Sequence, residues 1–104
     1  MTKDRAIALL RRYRQEETVA PSKRLFGWNG GYEFNRNVYA RYLVTDLQER
    51  IRESDDDPIE VVRRVYHALD DILCESESRI TWAFASTMEN IAGDILRFLR
   101  SEGD

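Results

Sequence analysis

His67, Asp70, Asp71 and Cys74 are the side chains whose types and spacing come nearest to a metal site. An imidazole and a carboxylate one helical turn apart can share a cation, and a thiolate further along can add a soft ligand. In a helix these four fall on one broad face, opposite the apolar face of Val62, Val65, Tyr66, Leu69 and Leu73. That placement turns them toward water. His67 is the only histidine and Cys74 the only cysteine. No inward-facing Glu-x-x-His pair exists to build a metal centre inside a bundle. The sequence therefore predicts no metal and no cofactor. His67 and Cys74 also fail as a base and nucleophile. Two helical turns set them about 10 Å apart along the axis, beyond the hydrogen bond that activates a thiol. The chain has no G-x-S-x-G, no P-loop and no G-x-G-x-x-G, and Gly27-Trp28-Asn29-Gly30-Gly31 lacks the Lys-Ser/Thr context of a phosphate cradle. The expectation is a protein that is not an enzyme.

Glu89-Asn90-Ile91-Ala92-Gly93-Asp94-Ile95-Leu96 resembles the Gly-Asp-containing helix of the MazG-type all-α nucleotide pyrophosphohydrolases. The resemblance implies a magnesium ion held by an acidic pair three residues apart, together with a Glu-x-x-Glu on an earlier helix. Asp46-Leu47-Gln48-Glu49 is the nearest counterpart of that earlier pair. The sequence departs from the pattern, since Glu89 and Asp94 lie about 140° apart around a helix and do not readily share one ion. The alternative this leaves is a magnesium-dependent nucleotide hydrolase using Glu49, Glu53, Glu89 and Asp94, which requires these carboxylates to converge.

The most unusual stretch is Leu25-Phe26-Gly27-Trp28-Asn29-Gly30-Gly31-Tyr32-Glu33-Phe34, with its dense aromatics and glycines. Loops run over the surface and are usually polar, so aromatics here either plug the core or meet a partner. Asn29-Gly30 is a tight-turn signal, because both residues tolerate positive φ. Flanked by aromatics, it can form a small β-hairpin, which must pack on other structure to be stable. Phe26, Trp28 and Phe34 can close one end of a core. Exposed, Trp28 and Tyr32 are typical interface anchors, and Arg24 and Arg36 flank them. Together with Trp82, the residues Arg24, Phe26, Trp28, Tyr32 and Arg36 are the candidate partner-binding set.

The elements that must position these residues are helical. The first helix is predicted over about 3–17, with Thr2 as N-cap and Ala6, Ile7, Leu9, Leu10 and Tyr13 as its apolar face. The second is predicted to start at Asn35 or Asn37 and to end near Glu53, burying Ala40, Leu43, Val44, Leu47 and Ile51, with Tyr39 and Tyr42 widening that stripe. Asp57-Pro58-Ile59-Glu60 is a strong helix start: an N-cap carboxylate, a proline in the first turn and a capping-box glutamate. The third helix then runs to Cys74 or Glu75, with Ile72 also counted on its apolar face, and the fourth from Glu77 or Ser78 to Arg100. The fourth carries a main stripe of Ile80, Phe84, Met88, Ile91, Ala92, Ile95 and Leu99. Trp82, Ala85 and Leu96 lie beside that stripe, and Phe98 extends its other edge. Gly93 interrupts the helix at a cost of about 1 kcal/mol relative to Ala, which close approach of another backbone would explain. A stripe this wide suits either a central helix or one that also packs on a second copy.

These readings converge on an all-α fold: one domain over residues 1–104, a compact four-helix bundle with an aromatic and glycine-rich connector between helices 1 and 2. At 104 residues and 42% hydrophobic composition the chain can bury a core. It has no apolar run of membrane-spanning length, so no membrane association is expected. The lone cysteine suits a reducing, cytoplasmic setting. Net charge is −3, with the basic residues concentrated in the first helix and the acidic ones in the second half. Arg11, Arg12, Arg14, Lys23 and Arg24 make a modest basic patch, but a pI near 5.2 argues against a nucleic-acid partner. A regulator touching nucleic acid through the first helix stands as a further alternative. The functional expectation is a small non-catalytic protein-binding or regulatory module of the adaptor, inhibitor, or immunity- or antitoxin-like kind. Its partner is another protein, and it acts as a homodimer.

Overall fold

The computed structural model describes residues 1–19 and 29–103, and within these the side chains other than those of 16–19, 29–35 and 80. Four α-helices make up the described chain: α1 (Lys3–Val19), α2 (Asn29–Glu53), α3 (Pro58–Glu75) and α4 (Arg79–Gly103). No strand occurs among the described residues.

Local chemistry sets the helix starts. Thr2 Oγ1 accepts from the Arg5 amide at 3.2 Å, and Asp57 Oδ2 accepts from the Ile59 amide at 3.1 Å, with Pro58 in the first turn. The capping box is incomplete: Glu60 turns outward to Arg63, at 2.6 Å, instead of back to the Asp57 amide. The start of α2 differs from expectation. The helix begins at Asn29, so the second arm of the expected hairpin, residues 32–34, is helical. Neither Gly30 nor Gly31 adopts positive φ. Asn-Gly suits a tight turn, but it also suits helix entry, where amides lack intrahelical acceptors and small polar residues are favoured.

The core lies around α4. Ile91, Ala92, Ile95 and Leu99 have no exposure, and neither do Ala40, Val44, Leu47 and Ile51 of α2 or Ala6 and Leu10 of α1. α4 packs on all three other helices, whereas α1 and α3 barely meet. α1 and α2 run antiparallel: Lys3 Nζ donates to the Arg52 carbonyl at 3.3 Å and Gln48 Nε2 to the Ile7 carbonyl at 3.1 Å. The basic first helix does meet an acidic residue of the second half, with Arg12 paired to Glu102 at 3.0 Å and stacked over Phe98. Tyr13 packs against the same Phe98 ring.

Three stripe assignments are corrected. Tyr42 is 72% exposed, and Phe84 and Ile72 are about half exposed, at 46% and 47%, because all three open onto surface hollows and not onto the core; Ala85, beside Phe84, is fully buried. Gly93 is approached by a side chain, not a backbone: a Cβ there would lie 3.4 Å from Cε2 of Tyr66.

That distance is ordinary contact for a methyl group. Gly93→Ala is expected to stabilise the protein by up to about 1 kcal/mol through helix propensity, while Gly93→Leu, which must displace Tyr66, lowers stability. Leu47→Ala, at a site with no exposure, is expected to cost about 2–5 kcal/mol. Urea unfolding of the three variants measures all of these effects.

Candidate functional site

The main surface feature follows from two helix stripes that do not match. On α3, Val61, Val65, Ala68 and Ile72 recur at spacings of four and three and form an apolar stripe toward α2. On α2, the stripe facing them begins apolar, with Tyr39 and Leu43, and then becomes charged at Asp46, Arg50 and Glu53. Charged groups do not leave water to pack on an apolar wall without compensation. Asp46 and Arg50 instead pair with each other at 2.6 Å, both about half exposed. As a result α2 and α3 pack less than the other neighbouring helices. Between them lies an open groove of about 670 Å³, with Leu43, Leu69 and Met88 among its lining residues. It continues through Leu43, Asp46 and Met88 into a second apolar hollow of about 430 Å³ bounded by Tyr39, Tyr42 and Phe84. Tyr42 is 72% exposed, and Phe84 stacks edge-on against Tyr39 at 5.2 Å.

None of the described residues singled out from sequence for partner binding lines this groove. Arg24, Phe26 and Trp28 lie outside the described residues, and Tyr32 lies in the first turn of α2 with its side chain undescribed. Arg36 is four-fifths buried and bonded to Asp94 at 2.7 Å. Trp82 is 52% exposed but lies by the α3–α4 turn, beside Ser76, Glu77, Ser78 and Arg79, away from the groove. The structure therefore does not bring Arg36 and Trp82 into one site.

The carboxylates do not gather either. Asp94 is held by Arg36 and Arg97. Glu89 faces Asp70 across the α3–α4 interface. Among the described residues no group of three His, Cys, Asp or Glu side chains is placed to hold a metal ion. His67, Asp71 and Cys74 are exposed, and the His67 ring rests edge-on against Tyr66.

The groove itself escaped the sequence reading, although its signal is present. Ala68 and Ile72 continue the Val61–Val65 spacing one turn beyond the face that packs on α4, giving α3 a second apolar stripe. Compared with known protein families, curated proteins and solved structures, the chain matches none.

Glu89 gives a pH signature. Its Oε2 is shielded from solvent, and burial, followed by the hydrogen bond to Asp70 and repulsion from it, raises its pKa above the ordinary carboxylate value. A carboxyl whose pKa is raised by folding stabilises the fold at pH values below its unfolded pKa. That contribution is lost as pH rises through the folded value. Glu89→Gln is therefore expected to raise the melting temperature at neutral pH and to flatten its dependence on pH above the carboxylate range. Thermal melts of both proteins from acid to neutral pH measure this.

Proposed function

We propose that the chain is a small non-catalytic protein-binding or regulatory module of the adaptor, inhibitor, or immunity- or antitoxin-like kind, acting as a homodimer on another protein. The observation that carries this reading is the set of large hydrophobic side chains left in water. Tyr42, Ile72, Trp82 and Phe84 are all 46% exposed or more, on a chain otherwise able to close a core. Side chains of this kind dominate binding hot spots or mark contact surfaces when they gather. The separation of Glu49, Glu53, Glu89 and Asp94 into different surroundings supports a binding role over the hydrolase alternative. Arg12 is engaged by Glu102 and Phe98, which weakens the case for a basic first helix turned to nucleic acid. No helix among the described residues is long and apolar enough to cross a membrane, and the lone cysteine supports a cytoplasmic setting.

The test is a photoreactive phenylalanine analogue placed at Trp82, irradiated in the native cells. The expected result is one discrete adduct with a different protein, lost when the analogue is moved to an exposed polar position such as Arg100. A diffuse set of adducts that tracks protein abundance contradicts the reading. So does a magnesium-dependent rise in melting temperature that is abolished by Glu89→Gln, which would favour the hydrolase.

A further inference from the structure

We propose that the groove between α2 and α3 is the dimer surface, occupied by the same face of a second copy of this chain. This rests on the homodimeric reading above and assigns it a location. The exposed apolar area supports a second copy. At about 200 Å² per large aromatic side chain, the exposed parts of Tyr42 and Phe84, with that of Ile72, supply about 300 Å² of apolar surface. Half-buried Val65, Leu69 and Met88 and the charged rim extend the surface toward the roughly 800 Å² that each partner of a stable dimer buries. The groove is also long enough. Val61 to Ile72 spans about 16 Å of α3, and Tyr39 to Glu53 about 20 Å of α2.

Charge selects the occupant. The rim carries Asp46 and Glu53 against Arg50 and Arg64, so a strongly acidic or strongly basic partner gains nothing from it. A two-fold copy does gain. An axis at Ala68, which is exposed, brings two α3 helices together antiparallel through a small side chain that permits close approach. Arg64 and Asp71 lie on the same edge of that face, seven residues apart around Ala68. Arg64 already pairs with Asp56 at 2.5 Å within its own chain, and under the two-fold its remaining donors meet Asp71 of the other copy, while Val65 meets Ile72. Self-complementarity of this kind is what an isologous interface requires. The pairing puts α2 and α3 of both copies into one four-helix layer and covers the apolar stripe that the charges of α2 leave bare.

Sedimentation equilibrium over a concentration series tests this, with circular dichroism melts as the control for folding. The expected result is a native dimer that becomes monomeric in Ala68→Glu and in Ile72→Glu, both exposed sites. Arg64→Asp is expected to weaken association by about tenfold or more, and combining it with Asp71→Arg to restore it. Trp82→Ser leaves the dimer intact. A monomer at every concentration overturns the inference and the homodimeric reading together, whatever covers the groove. A dimer indifferent to Ala68→Glu and Ile72→Glu overturns the inference alone and leaves the homodimer with another interface. If either variant fails to melt cooperatively, the Arg64–Asp71 exchange decides: no restoration rejects the two-fold.

Discussion

The structure depends on the burial of one stripe of α4. Ile91, Ile95 and Leu99 have no exposure, and three helices converge to cover them. At about 25 cal/mol per Å² of apolar surface, such residues supply most of the driving force for a chain this short. The cover is uneven, however. It closes over the part of α4 from Ile91 onward; before Met88 Ala85 is still fully buried, but Phe84 and Trp82 stand in water. The large side chains left exposed are those the central stripe does not reach.

The second constraint is the change of character along α2. Its inner face, from Ala40 to Ile51, is uniformly apolar and fixes α2 on α1 and α4. Its side face turns from Tyr39 and Leu43 to Asp46, Arg50 and Glu53. A helix cannot seal a seam against an apolar neighbour with charged residues on successive turns, so the α2–α3 seam stays open. The same three residues, with Arg64 of α3, leave the rim of the seam with two acidic and two basic side chains. Several acidic residues of the second half are paired within the fold: Asp94 with Arg36 and Arg97, Glu60 with Arg63, Asp56 with Arg64. Exposed pairs of this kind add little stability each.

Much of this fold is legible in the sequence. The i, i+3, i+4 spacing marks Ala6–Leu10, Ala40–Ile51 and Ile91–Leu99, and these are the fully buried positions. Asp57-Pro58 marks the start of α3 because the cap and the proline act locally. What was not legible depends on tertiary context. Asn29-Gly30 carries the chemistry of a turn, yet it opens a helix, since propensity at a helix end is weak against continuation of the helix behind it. Phe84 and Ile72 continue apolar stripes, but where a stripe stops being covered depends on the length and angle of the neighbouring helices. The groove needed two stripes to be compared across α2 and α3, and a single helix wheel does not show that mismatch. Arg36 looked like a flank of an aromatic site, but its partner Asp94 is far away in sequence.

The account places the protection of the fold in one part of α4 and its exposure in another. Native-state hydrogen exchange read along that helix tests this directly. The account predicts the slowest amides of the protein at 91–99 of α4 and 43–51 of α2, with amides at 79–86 and in the last turn of α3 exchanging much faster through local opening. Uniform protection along α4, with 79–86 as slow as 91–99, would contradict it and mean that the exposed aromatics are covered within the single chain.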